Sequence, residues 1–153
     1  MADAHNNCLV CERINAIVNN SNPYFVCELP ASYVVVGDFQ YFYGYTLLLY
    51  KEHKCELHEV AVNDRNSFMV EMACVAEAVY EISRPKTINY EMLGNEYPHM
   101  HWHIIPRHGD DASPNTTSWK VDKSIRYNEK YKLFGNDLYR LKHDLLSEIV
   151  KKY

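Results

Sequence analysis

The sequence predicts an α+β fold: an antiparallel sheet of about five short strands, one long helix between strands, and a second helix at the C-terminus. Three observations carry this reading. Aromatic and β-branched runs come first, a helical period of apolar residues fills the middle, and two alternating segments follow it directly. Tyr24–Leu29 and Tyr33–Val36 are short strand-like runs separated by Pro30, and Tyr45–Tyr50 is a third, after Gly44. Between Asp64 and Arg84, Phe68, Met69, Met72, Val75, Ala76, Val79 and Ile82 recur at spacings of three and four. Asn63 or Asp64 can cap that helix and Pro85 stops it. Thr87–Leu93 alternates, with Ile88, Tyr90 and Met92 on one face, and His99–Pro106 alternates more regularly still. Gly109–Lys120 is rich in Asp, Ser, Pro, Asn and Thr and reads as a surface loop. Asp137–Lys151 carries Leu138, Leu141, Leu145, Ile149 and Val150 on one stripe, a terminal amphipathic helix.

With 153 residues the chain is long enough for one hydrophobic core, and no repeat, low-complexity tract or linker-like shift precedes about residue 109. The expectation is one domain over 1–153, with 1–109 as its core and 110–153 as a loop and helical extension. The net charge of −4 argues against a nucleic-acid surface or an anionic-membrane surface. At 47% hydrophobic and 24% charged, the composition is that of a packed protein, not of a disordered one. No apolar run reaches the roughly 18 to 20 residues that span a bilayer, and Met1–Asn7 lacks a signal-peptide pattern, so a cytoplasmic location is expected. Five cysteines make an odd count in such a chain and read as reduced thiols or metal ligands. Asn115-Thr116-Thr117 matches a glycosylation acceptor that a cytoplasmic chain would not use.

The most informative stretch is His99-Met100-His101-Trp102-His103-Ile104-Ile105-Pro106. Strand side chains alternate, so three imidazoles share one face while Met100, Trp102 and Ile104 offer the other to a core. Imidazole acts as nucleophile, acid, base or metal ligand near neutral pH. Three imidazoles can also hold zinc, although strand spacing sets their tips in a row about 7 Å apart, which makes convergence on one ion awkward. His5, His58, His108 and His143 are isolated and read as surface or core residues. Cys8-Leu9-Val10-Cys11 has chelating spacing, but a tetrahedral site needs two more ligands, and the chain has no second C-x-x-C.

The triad, His-x-His-x-His with apolar x, resembles the signature of the histidine triad (HIT) family. The likeness extends to the C-x-x-C of the family's zinc-containing members and to an apolar strand ending in a lysine and a histidine, here Leu47–Tyr50 followed by Lys51-Glu52-His53. Asp38 stands where the family carries an aspartate or asparagine before that strand. The resemblance covers roughly residues 8 to 107 and leaves the C-terminal part unassigned.

The resemblance implies a HIT-like fold and an enzyme that attacks the α-phosphorus of a nucleotide with the middle histidine, His101. A covalent nucleotidyl-histidine then passes to water or another acceptor. His103 would donate to a phosphate oxygen or protonate the leaving oxygen. Asn95, four residues before His99, stands near the place of a phosphate-contacting glutamine, and Asn89 lies just upstream. Asp38 could accept from ribose hydroxyls. The implied substrates are dinucleoside polyphosphates or nucleoside phosphoramidates, and the implied metal is structural Zn²⁺ on Cys8, Cys11, His53 and His99, with none required for chemistry. Alternative readings are a nucleotide-binding regulatory protein with little turnover and a zinc enzyme that uses the triad as ligands. A homodimer is expected from the resemblance and from the helix Asp64–Arg84, whose polar face is interrupted by Met69, Cys74 and Ala78. The pattern departs from many relatives at Tyr45, where a histidine follows the glycine, at Tyr50, in place of a proline, and at Glu96, in place of Ser or Thr.

Overall fold

The computed structural model describes residues 7–153, so His5 lies outside the described residues. In chain order the elements are α1 (Leu9–Val18), β1 (Phe25–Glu28), β2 (Ser32–Val36), β3 (Thr46–Tyr50), α2 (Val62–Ser83), β4 (Thr87–Glu91), β5 (His101–Arg107), α3 (Lys123–Arg126) and α4 (Gly135–Val150). The five strands form one antiparallel sheet in the order β1-β2-β3-β5-β4. This is the α+β fold the sequence predicts. Among the described residues no helix is long and apolar enough to cross a membrane.

Alternation divides the sheet into two apolar layers. Val34, Val36, Leu48 and Ile104 face α2 and α4, which contribute Phe68, Val75, Ala76, Val79, Leu141, Leu145 and Ile149 to the main core. Each of the Val, Leu, Ile and Phe side chains here, once buried, contributes roughly 1.5 to 3 kcal/mol by leaving water. Val35 and Leu49 face the other way, against Cys8, Val10 and Ile17 around α1. A third cluster, Phe42, Ile105 and Val121, closes the far end of that second face. The histidine strand runs between them.

Two features register the helices on the sheet. The buried Glu71 of α2 accepts from the Ala31 N–H at 2.7 Å and the Ser32 hydroxyl at 2.5 Å, tying the middle of the helix to the β1–β2 turn. Arg84 takes the left-handed conformation, φ 46°, which ends α2 ahead of Pro85. The helix starts at Val62, two residues before the expected Asp64, and Ala61 caps it without a side-chain hydrogen bond. Ala78 is wholly buried against the core, so it belongs to the apolar face and does not interrupt the polar one; Met69 is 38% exposed. The sequence pattern places no element at α1, at the short α3 or at the 3₁₀ turn Ser118–Lys120.

Candidate functional site

β5 begins at His101, not at the expected His99, because His99 lies beyond the cross-strand register that ends with Leu49 opposite His101. The triad is therefore divided. Leu49 and Leu47 lie opposite His101 and His103 on the second face of the sheet, while His99 turns to a separate cluster of cysteines. His101 and His103 face one another edge to face, with ring centroids 4.7 Å apart, and both are buried.

Hydrogen-bond partners fix the chemistry of each ring. His101 Nδ1 lies 2.6 Å from the His99 carbonyl, which can only accept, so Nδ1 carries the proton and Nε2 keeps a lone pair. Burial pushes His101 below the ordinary imidazole range, against that hydrogen bond, and keeps it neutral. His103 is pushed down to about 3, first by burial and then by His101. Its Nδ1 meets the Tyr45 hydroxyl at 2.6 Å, its ring stacks on that of Tyr45, and the edge of Trp119 closes its other side. The arrangement offers a neutral nucleophilic nitrogen beside a second neutral imidazole.

Both rings line a cleft of about 300 Å³. Val10, Val35, Leu47 and Leu49 form its apolar wall, and Arg13, Asp38, Glu96 and Tyr97 stand around it. A flat apolar wall opposite polar groups suits a nucleoside. Asp38 lines this cleft, and Arg13 from α1 grips its carboxylate through two hydrogen bonds of 2.8 and 2.6 Å. Asn89 lies elsewhere: its Oδ1 accepts from the buried Arg107 at 2.8 Å, and Arg107 also binds Asp111 and the carbonyls of Ser113 and Thr116. Asn95 is exposed and borders a different groove, with Cys55, Met92 and Trp102, and the structure brings its neighbour Glu96 to the cleft instead.

Sequence reasoning missed Arg13, Trp119, Arg126 and Tyr127, and marked Tyr45 only as a departure from the family pattern. The extension after residue 110 returns to the site: the Arg126 guanidinium sits 5.0 Å from the ring centres of both Trp119 and Tyr127, and the Trp119 indole N–H donates to Glu91. An aromatic residue in a Ser/Thr/Asn-rich loop was the available signal for Trp119.

The second constellation is Cys8, Cys11, His53 and His99, whose four ligand atoms all lie within 4.8 Å of one another. Nδ1 of His99 is 3.6 Å from Cys8 Sγ and 3.4 Å from Cys11 Sγ, and His53 Nδ1 is 3.2 Å from Cys11 Sγ. A tetrahedral zinc centre with ordinary bond lengths sets sulfur and nitrogen ligands about 3.5 Å apart, so the donor set and the spacing both fit. Nε2–H of His99 donates to the Tyr50 carbonyl at 2.8 Å, which leaves the Nδ1 lone pair toward the sulfurs, the second contact a metal-binding histidine needs. Burial and the neighbouring Cys8 push the Cys11 thiol up to about 11, and a divalent cation inverts that preference. The cluster uses only the first histidine of the triad, which speaks against a metal held by all three.

An antiparallel five-stranded sheet that presents a buried, alternating histidine pair to a nucleoside-sized cleft defines the class of histidine triad proteins. The comparisons agree: residues 19–110 match the HIT domain model, and the chain belongs to the HIT family. No curated protein sequence matches it. Among solved structures, a histidine triad protein from Bradyrhizobium japonicum is similar with a TM-score of 0.70 and 24% identity, over 82% of this chain and 89% of its own. A zinc-bound histidine triad family protein from Mycobacterium smegmatis is similar with a TM-score of 0.64 and 17% identity, over 97% and 96%. A Plasmodium falciparum diadenosine triphosphate hydrolase is similar with a TM-score of 0.58 and 13% identity, over 85% and 78%. At these identities the likeness is one of fold.

Proposed function

We propose that this HIT protein hydrolyses or transfers nucleotides at the α-phosphate, through a covalent intermediate on His101. The observation that carries the reading is the 2.6 Å bond from His101 Nδ1 to the His99 carbonyl, which aims an unprotonated Nε2 away from the backbone. The nucleoside lies against Val10, Val35 and Leu49, and Asp38 accepts from its ribose hydroxyls. Nε2 of His101 forms a bond to the α-phosphorus as the bond to the leaving group breaks, and His103 assists with a hydrogen bond to the transferring or leaving group. Water or another acceptor then takes the nucleotidyl group from His101. Dinucleoside polyphosphates and nucleoside phosphoramidates are the proposed substrates, and the diadenosine triphosphate hydrolase among the structural neighbours supports that class. Asn95 would take no part, and Asn89 would act only through Arg107.

Zinc on Cys8, Cys11, His53 and His99 is proposed as structural: it would staple α1, the segment after β3 and the approach to β5, and supply no step of the chemistry. The charge balance supports partners other than nucleic acid and membrane, and the location is proposed as cytoplasmic.

Incubating the protein with ATP or a diadenosine polyphosphate and quenching early should reveal, by intact mass, an acid-labile nucleotidyl adduct on the wild type. Turnover without any adduct under single-turnover conditions would replace the covalent step with direct attack by water. Binding with neither adduct nor turnover would favour a regulatory nucleotide-binding protein.

A homodimer is proposed as well, supported by the exposed apolar side chains Met69, Val70 and Tyr80 on α2 and by the edge strand β4, where Tyr90 is half-exposed. Multi-angle light scattering at micromolar concentration should return twice the chain mass. The mass of a single chain at that concentration would exclude it.

A further inference from the structure

Tyr45, where the sequence departs from the family's common pattern, is set in place by the backbone around it. Gly44 has φ +94°, a conformation that favours glycine, and it delivers the chain into β3. The buried Gln40 donates from Nε2 to the carbonyls of Gly37 and Tyr45, at 2.9 and 3.0 Å, and accepts from the Gly44 N–H at 2.9 Å. A Cβ on Gly37 would fall 2.4 Å from the Tyr45 ring, so the phenol lies directly on the Gly37 backbone. The ring has little room to move.

The Tyr45 hydroxyl has one hydrogen-bond partner among the described residues, His103 Nδ1. Burial pushes the phenol above its ordinary range, so it keeps its proton. A phenol holds a single proton. Were Nδ1 also protonated, the half-buried hydroxyl would lose its one acceptor among the described residues. The satisfied arrangement is Tyr45 O–H donating to Nδ1, with the imidazole proton on Nε2. The other groups around the ring do not compete: His101 bonds the His99 carbonyl, and Glu91, paired with His103 across β4 and β5, accepts from the Trp119 indole.

We propose that Tyr45 is a positioning residue that locks His103 as its Nε2–H tautomer, so that His103 meets the transferring phosphoryl group as a neutral hydrogen-bond donor and not as a proton donor. This rests on the nucleotide reading above. As His101 Nε2 bonds to the α-phosphorus, the electron pair of the breaking bond leaves on the departing group. A phosphoanhydride leaving group carries that pair away as a stable anion, with a hydrogen bond from His103 Nε2–H and no proton delivered. An amine must instead be protonated at nitrogen, and a neutral His103 could give up its Nε2 proton only by becoming imidazolate or by drawing the Tyr45 proton onto Nδ1 and leaving a tyrosinate, which burial of the phenol opposes. The lock therefore selects for an anhydride at the α-phosphorus.

The test uses the ¹⁵N-labelled chain and its variant Tyr45→Phe. Long-range proton–nitrogen correlation spectra of the wild type should show the His103 signal, identified by its loss in His103→Gln, with Nδ1 unprotonated and Nε2 protonated. A wild-type His103 protonated at Nδ1 would overturn the proposal, and this measurement needs neither a variant that folds poorly nor any turnover. In Tyr45→Phe the single tautomer should give way to a mixture. The ratio of kcat/KM for adenosine phosphoramidate to that for diadenosine triphosphate should rise about 10-fold, as the hydrogen bond that keeps a proton off Nδ1 is removed, while burial and His101 still hold His103 low. An equal fall for both substrates, with the tautomer unchanged, would reduce Tyr45 to packing and overturn the lock. If the wild type turned over neither substrate, the nucleotide reading would fail, and the spectra would still decide the tautomer.

Discussion

His101→Ala should lose turnover by about 10⁴-fold or more while still binding nucleotide, because it removes the attacking nitrogen and leaves the apolar wall of Val35, Leu47 and Leu49 in place. The intact-mass adduct should vanish with it. His103→Ala keeps the nucleophile and should be slowed less, by about 10²-fold, the usual worth of one well-placed donor in a transition state. Nucleotide titration by calorimetry, run beside rapid-quench kinetics, separates the two effects. A His101→Ala protein with near-native turnover would end the covalent-histidine reading, whatever its affinity for the substrate.

Cys8→Ser or Cys11→Ser should lower metal content and melting temperature together. The four ligand residues come from segments up to 91 residues apart in sequence, since Cys8 faces His99. Losing such a cross-link is expected to cost about 3 to 5 kcal/mol, which in a chain of this size moves the midpoint by about 10 °C. Strong chelators should produce the same shift in the wild type and none in the variants. Activity measured well below the midpoint should largely persist, because His101 and His103 are not among the ligands. Elemental analysis that finds no metal in protein purified without chelator would remove the structural-zinc proposal, and activity lost in step with metal at low temperature would make the ion catalytic.

Much of the architecture was legible because its patterns are local. The three N-terminal strands, α2 and the alternation of β5 each announce themselves by period, and the triad marks its own face. The parts that were not legible depend on distant partners. α1 has no capping side chain at Cys8, and its buried Val10 and Ile17 are too few to stand out as a stripe, so only the cysteine spacing was visible there. Asn89 looked free to meet a phosphate, yet nothing local reveals that Arg107, eighteen residues later, takes its side-chain oxygen. His99 belongs to the triad by spacing and to the cysteine cluster by geometry, because the strand that would have held it on the common face begins two residues later. Gly109–Lys120 reads as a polar loop and residues 121–136 show no pattern, whereas Arg126 stacks on Trp119 and Tyr127 and Trp119 closes the side of His103.

The strand order has a kinetic consequence. β1, β2 and β3 join as neighbours in sequence, and so do β4 and β5, but the seam between β3 and β5 pairs residues more than fifty positions apart, from Thr46 with Ile104 to Leu49 with His101. Zipping that seam demands the closure of a long loop containing α2, and loop-closure entropy is spent before any pairing repays it. That closure is the long-range step in assembling the sheet. His101 and His103 lie along that seam, and His53 and His99 flank its end, so the reactive pair and the metal ligands both depend on it. A partly folded chain, however rich in helix and hairpin, holds neither.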